Sequence, residues 1–299
     1  MVLIAAAQMC SSSSLKENGL SAVRLITRAV SLNAKILFLP EAADYIAKNA
    51  KHSIQIAKSV HESPFVLEIQ QKLRQLHQEG RSIFVSVGVH EPSGEIDQRV
   101  KNTLLWINDH GDIEKRYQKI HLFNVEIENG PIMRESDSVQ PGSEIIPPFD
   151  TPAGKLGLAI CYDLRFPELA LRLRKQGAQL LTFPSAFTMK TGLAHWELLG
   201  RARAIDTQSY VILPAQAGQH KTQSQEDIDN GEKPIRPRIS YGHTMIIDPW
   251  GTVLSQVSDV TAGKEDLCLA DIDLERLNTV RKDMPLLDHR RPDVFGYEI

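Results

Sequence analysis

The sequence predicts an α/β fold in which two packed sheets of mixed strand direction are covered by helices. Three observations lead there. Short apolar runs alternate with longer segments whose apolar residues recur at helical spacing. Hairpin turns interrupt that alternation more often than a doubly wound parallel sheet allows. Hydrophobic residues make up 42% of the 299, enough for a sizeable core.

The elements follow in order. Residues 2–8 are apolar but short and lack a basic flank, so they read as a buried strand and not as a secretory signal. Apolar residues at 20, 23, 26 and 30 predict a helix over 15–32. A strand over 36–39 is cut short by Pro40. Pro64 opens a helix over 64–78, since its missing N–H has no partner in a first turn anyway. A strand over 83–89 follows. Runs over 103–107 and 113–117 flank Asn108-Asp109-His110-Gly111 and form a hairpin. A strand over 155–160 leads into Cys161, and a helix over 167–176 opens on Pro167 and is closed by Gly177. A strand over 180–183, a helix over 194–207 and a strand over 210–213 come next. Residues 243–247 and 252–256 pair around Asp248-Pro249-Trp250-Gly251, before a strand over 267–270 and a helix over 274–282. The polar segment 221–238, with Gly231, Pro234 and Pro237, reads as an excursion within one domain spanning 1–299, because strands resume after it. The tail 285–299 carries Phe295 and Tyr297 among polar residues and reads as a segment that docks on a second subunit.

Composition excludes several function classes. A formal net charge of -3 and a pI near 6.4 offer no attraction for nucleic acid or an anionic membrane. Cys10, Cys161 and Cys268 are far apart and odd in number, with no CxxC, so neither a disulfide framework nor a zinc site is read from them. No apolar run approaches the roughly 18 residues that span a bilayer. A cytoplasmic protein is expected, with a mitochondrial fraction as the alternative. There is no glycine-rich phosphate loop, no G-x-S-x-G and no H-E-x-x-H. His195 and Glu197, two residues apart on a helix, face different ways, so they do not read as paired metal ligands. No cofactor and no metal is expected.

One stretch carries chemistry. The apolar run ending Leu158-Ala159-Ile160 meets Cys161, then the polar Tyr162-Asp163, then Pro167. That layout holds a nucleophile at a strand-to-helix elbow, where free backbone N–H groups lower a thiol pKa and bind an oxyanion. The other reading, a buried cysteine acting as a small hydrophobe, fits the polar elbow poorly. Glu41 ends a buried strand, where it reads as a desolvated general base or as a glutamate at a helix N-terminus. Lys119 lies between apolar residues, as an oxyanion cation or as a strand-end lysine reaching solvent. His121 reads as a hydrogen-bonded structural residue.

Three motifs in this order resemble the nitrilase superfamily of carbon–nitrogen hydrolases, end to end. They are Phe38-Leu39-Pro40-Glu41-Ala42, Tyr117-Gln118-Lys119-Ile120-His121-Leu122-Phe123, and Cys161-Tyr162-Asp163-Leu164-Arg165-Phe166-Pro167-Glu168. The resemblance implies a four-layer αββα sandwich, a homodimer whose sheets continue across the interface, and a Glu–Lys–Cys triad of Glu41, Lys119 and Cys161. It also implies a supporting Glu135, in Met133-Arg134-Glu135-Ser136. Phe183-Pro184-Ser185-Ala186-Phe187, Thr191-Gly192-Leu193-Ala194-His195-Trp196-Glu197, Arg201-Ala202-Arg203-Ala204 and Ser240-Tyr241-Gly242-His243 resemble the deaminated glutathione amidases and, slightly less closely, the ω-amidases. Asn124 stands where these amidases carry an aspartate. The implied reaction attacks the amide of a small carboxylate-bearing substrate and passes through a thioester to an acid and ammonia. Lys119 and the Tyr162 N–H hold the oxyanion. Arg165, Phe187 and Thr191 are the expected substrate contacts, Arg165 by pairing with a carboxylate or, alternatively, only with Asp163 or Glu168. ω-Amidase action on α-ketoglutaramate or α-ketosuccinamate, a transferase, and a catalytically idle binding scaffold are the competing readings.

Overall fold

In β1 (Val2–Met9), Ile4 and Ala6 belong to one buried cluster and Ala5 and Ala7 to another, because the strand lies between two apolar layers. The computed structural model describes residues 1–94, 96–126, 132–223, 229, 231, 233–235, 237–258 and 264–296. After β1 come α1 (Leu15–Ser31), β2 (Ile36–Phe38), α2 (Ala50–Ile56), α3 (Pro64–Gln78), β3 (Phe84–Pro92), β4 (Val100–Ile107) and β5 (Ile113–Gln118). A small hairpin of β6 (Asn124–Glu126) and β7 (Ile132–Arg134) and the short β8 (Val139–Gln140) lead to β9 (Phe149–Thr151) and β10 (Gly154–Leu158). Then follow α4 (Pro167–Lys175), β11 (Leu180–Thr182), α5 (Met189–Thr207), β12 (Tyr210–Leu213), β13 (Ala215–Gln219) and β14 (Ile239–Tyr241). The chain continues through β15 (Met245–Ile247), β16 (Val253–Gln256), β17 (Asp266–Ile272), α6 (Leu274–Asp283) and α7 (Pro292–Phe295).

One sheet runs β14-β13-β1-β2-β3-β4-β5, with β17 also on β1 and β8 on β4. The other runs β16-β15-β12-β11-β10-β9. Both are mixed: β1–β2 and β2–β3 pair parallel while β3–β4 and β4–β5 pair antiparallel, and β10–β11 and β11–β12 pair parallel while β9–β10, β12–β15 and β15–β16 pair antiparallel. Ala22, Leu25 and Ile26 of α1 and Phe65, Ile69 and Leu73 of α3 cover one face of the first sheet. Its other face, through Ile4, Phe38, Leu104 and Trp106, meets Leu156, Leu158 and Leu180 of the second sheet, which α4 and α5 cover through Leu169, Leu173, Trp196 and Ala204. The layers are therefore α-β-β-α, as the resemblance implied.

Several expectations shift. α5 begins at Met189 and not at 194, because the Thr188 side chain accepts the Thr191 N–H at 3.3 Å and caps the helix early. Thr191 is thus in a first helical turn, not on a loop. The strand expected from 243 starts at Met245, since His243 has φ 61°, in the left-handed region that breaks strand pairing. The elbow after Cys161 is a 3-10 turn, Cys161–Arg165, before α4 opens on Pro167. α2, β13 and β14 were not read from the sequence. They are short, and Ala-Gln-Ala-Gly-Gln carries no β-branched residue; its strand state comes from pairing with distant β1. Within segment 221–238, residues 224–228, 230, 232 and 236 lie outside the described residues, as does Tyr297. Among the described residues, no helix is long and apolar enough to cross a membrane.

Candidate active site

The two sheets bring together four side chains that are distant in sequence. Lys119 follows β5 and is 2% exposed. Its Nζ donates to Glu41 Oε1 at 2.9 Å and to Glu135 Oε1 and Oε2 at 2.9 and 3.0 Å. Glu41, just past β2, also accepts the Ala186 N–H on Oε2 at 2.9 Å. The Glu41 charge also acts on the neighbouring Cys161 thiol. Glu135, in a 3-10 turn after β7, additionally accepts the Phe123 N–H on Oε2 at 2.7 Å.

Burial and charge compete at each group. Burial pushes the Glu41 carboxyl up, but the Lys119 ammonium, with the Cys161, Lys119 and Asn102 hydrogen bonds, holds it below its ordinary value. Burial pulls the Lys119 ammonium down; Glu135 and Glu41 outweigh it and hold the ammonium well above the usual lysine range. Burial, then the Glu41 charge, push the Cys161 thiol up against the opposing pull of Lys119. The sequence expectation that the elbow's N–H groups lower this thiol is therefore corrected. At rest the site holds a neutral thiol against an ionised carboxylate, beside a fixed cation.

The local backbone is held in unusual shapes. Cys161 has φ 47° and Ala42, next to Glu41, φ 52°, both in the left-handed region. The elbow is tied down by fully buried Asp163. That carboxylate accepts Tyr117 Oη at 2.7 Å, the Ile160 N–H at 2.9 Å and the His121 N–H at 3.1 Å, and contacts His121 Nδ1 at 2.8 Å. His121 also stacks on Phe166 at 3.7 Å, so it is structural, as read. The Tyr162 N–H donates to no acceptor among the described residues, leaving it available to an oxyanion.

Sequence reasoning missed four contributors. Asn102 Nδ2 donates to Glu41 Oε1 at 2.8 Å and to Glu135 Oε1 at 3.3 Å. Its signal was parity: it shares a strand face with Leu104 and Trp106, both turned to the inter-sheet core. Gln216 Nε2 donates to the Glu41 and Ala42 carbonyls, both at 3.1 Å, and so fixes the turn that carries the carboxylate. Gly88 lies so close that a Cβ there would sit 2.6 Å from Glu41 Cα. The Ala186 N–H had no sequence signal at all.

The expected substrate contacts separate. Arg165 makes no ion pair with Asp163 or Glu168 among the described residues. Its guanidinium lies 5.8 Å from the Tyr162 ring centroid and 5.6 Å from that of Phe187, and Nη2 contacts His195 Nδ1 at 3.2 Å. Phe187 is buried against Trp196, with ring centroids 4.8 Å apart. The Thr191 hydroxyl is engaged with Thr188 Oγ1 at 3.0 Å. Asn124 Oδ1 accepts the Ser136 N–H at 3.1 Å, steadying the turn that carries Glu135.

A thiol next to a carboxylate, with an ammonium and a free N–H beside it, is equipped for acyl transfer through sulfur. The carbon–nitrogen hydrolase family model matches residues 3–282, and the chain belongs to that family. It is 46% identical over 296 residues to "Probable hydrolase nit2" of Schizosaccharomyces pombe, covering 99% of each. It is 41% identical over 297 residues to the deaminated glutathione amidase of Mus musculus, covering 98% of this chain and 84% of that one. Among solved structures, the NitFhit protein of C. elegans superimposes with a TM-score of 0.85 at 41% identity, over 99% of this chain and 66% of that one.

Proposed function

We propose that this carbon–nitrogen hydrolase acts on deaminated glutathione through Glu41, Lys119 and Cys161. Glu41 takes the thiol proton and the thiolate adds to the amide carbonyl. Lys119 and the Tyr162 N–H receive the oxyanion. Protonated Glu41 hands its proton to the departing nitrogen, the carbon–nitrogen bond breaks, and a Cys161 thioester remains. Water, deprotonated by Glu41, cleaves the thioester and restores the thiol. Glu135 holds the Lys119 ammonium in place throughout. For deaminated glutathione the amide nitrogen bears the cysteinylglycine tail, so a dipeptide amine leaves in place of the ammonia expected from the sequence, whereas α-ketoglutaramate does release ammonia.

The observation that carries this reading is the Glu41 carboxylate, which accepts from the Lys119 ammonium and the Ala186 N–H and whose charge acts on the thiol. Arg165, without an acidic partner among the described residues and set over Tyr162 and Phe187, supports a carboxylate-bearing substrate. The test compares kcat/KM for deaminated glutathione, α-ketoglutaramate and propionamide, by amine or ammonia release, with Cys161→Ala as control. The highest value is expected with deaminated glutathione. Preference for α-ketoglutaramate would make the chain an ω-amidase; no turnover of any amide would leave a binding scaffold.

The same reading includes a homodimer and a cytoplasmic location. Met189, Leu193 and Leu198 of α5 and Val294 and Phe295 of α7 are at least half exposed, an apolar set that a second copy would cover. All three cysteines are free, which suits a reducing compartment.

A further inference from the structure

We propose that His77, Asp109 and His110 form a binding site for a divalent transition metal, with Zn2+ as the ion that fits, tying the end of α3 to the β4–β5 hairpin. His77 lies in the last turn of α3 and the other two in the hairpin turn, so no sequence spacing announces the set. His77 Nδ1 is 3.7 Å from Asp109 Oδ2, and His110 Nε2 is 3.8 Å from Asp109 Oδ1. The two imidazole rings lie with centroids 3.9 Å apart and planes tilted by 45°. One ligand atom from each residue lies within 4.8 Å of the others.

These separations are close to what an ion needs. Tetrahedral zinc with bonds of about 2.0–2.1 Å spaces its ligand atoms by about 3.3 Å, so closure asks for modest side-chain shifts. Both histidines have freedom to make them, with side chains 44% and 57% exposed. The carboxylate is already set: Ser82 Oγ donates to Asp109 Oδ2 at 2.7 Å, the kind of outer contact that orients a ligand. The backbone beneath is also fixed. Asn108 Oδ1 accepts the His110 and Asp112 N–H groups at 3.0 and 2.9 Å. Gln70 Nε2 of α3 donates to the Gly111 carbonyl at 2.7 Å. Two imidazoles and one carboxylate are a borderline donor set suited to zinc, leaving a fourth position for water. The site lies apart from the Glu41–Lys119–Cys161 set, so it acts on the frame and not on the reaction.

The experiment titrates the untagged Cys161→Ala chain, which has no nucleophilic sulfur to compete, with Zn2+ against a chromophoric chelator at pH 7.5. One site is expected. Its affinity should fall at least tenfold in Asp109→Asn, which keeps a partner for Ser82, and at least a hundredfold in His77→Ala/His110→Ala. At a hundredfold excess of zinc over Kd, Tm should rise by about 5 °C in the parent and not in the double variant. Co2+ should give a visible spectrum without a thiolate charge-transfer band. Zinc binding indifferent to these substitutions, or a thiolate band with Co2+, would overturn the proposal; so would the absence of any site tighter than millimolar.

Discussion

At Gly88 the missing side chain decides whether Glu41 can occupy its place. A Cβ there would meet Glu41 Cα at 2.6 Å and Pro40 O at 2.8 Å, both backbone atoms that cannot swing aside. Gly88→Ala should therefore cost about 1–3 kcal/mol of stability and lower kcat more than tenfold; denaturant unfolding and steady-state kinetics check the two effects separately. Cys161→Ala should abolish turnover while leaving Tm nearly unchanged, because the change removes one sulfur and no structural hydrogen bond of the elbow depends on it. Residual turnover in the folded variant would show that sulfur is not the nucleophile. Glu41→Gln and Lys119→Met should each slow the chemical step by several orders of magnitude, since in the proposed mechanism base and oxyanion donor act in one transition state. Arg165→Ala should raise KM for carboxylate-bearing amides far more than for propionamide. Equal losses on both would mark the arginine as structural.

At the scale of elements, the end of β13 is fastened by His220. Its Nδ1 donates to the Ser11 carbonyl at 2.9 Å and its Nε2 accepts the Ser240 hydroxyl at 2.8 Å, joining the β1–α1 connection to β14. The carbonyl can only accept, so the neutral tautomer is fixed. Burial pushes this imidazole down to about 4, with the Ser11 hydrogen bond opposing. The sign follows: above an unfolded value of about 6.5 both states are neutral and the stabilisation is complete. As pH falls below that, the unfolded chain takes a proton that the folded one refuses, and stability drops until the folded pKa is reached. The loss is on the order of 3 kcal/mol. Urea unfolding between pH 7 and pH 4 should show that slope in the parent and a shallower one in His220→Gln; parallel slopes would refute it. None of β13, β14 and α2 was legible beforehand, whereas the helix over 64–78 was read to its last residue, because it carries its own punctuation in Pro64 and its own apolar stripe.

At the scale of the molecule, the four layers leave the outer side of α5 with large apolar residues that the chain itself does not cover. Leu198→Glu should shift the proposed dimer towards monomer, read by light scattering on a sizing column, with little change in monomer unfolding. A monomeric parent at micromolar concentration would end that reading. The two-sheet core was legible from apolar runs together with the frequency of hairpin turns, because a strand buried on both faces must be apolar throughout and a doubly wound sheet has few hairpins. The layer order came from the motifs, since periodicity says which face of a strand is apolar but not what lies against it.

Local chemistry settled much of this protein in advance: which segments are strands and helices, where prolines and glycines end them, and that Cys161 stands at an elbow. Those properties depend on neighbours in the chain. Tertiary structure alone decided the rest. It set Asn102 between two carboxylates, brought the Ala186 N–H to Glu41, and turned the expected low-pKa thiol into a neutral one by burying it beside a negative charge. It left Arg165 without an acidic partner among the described residues and gathered His77 to a hairpin turn. Each of these depends on distances across the sheets and helices, and through-space electrostatics and packing have no counterpart in residue spacing.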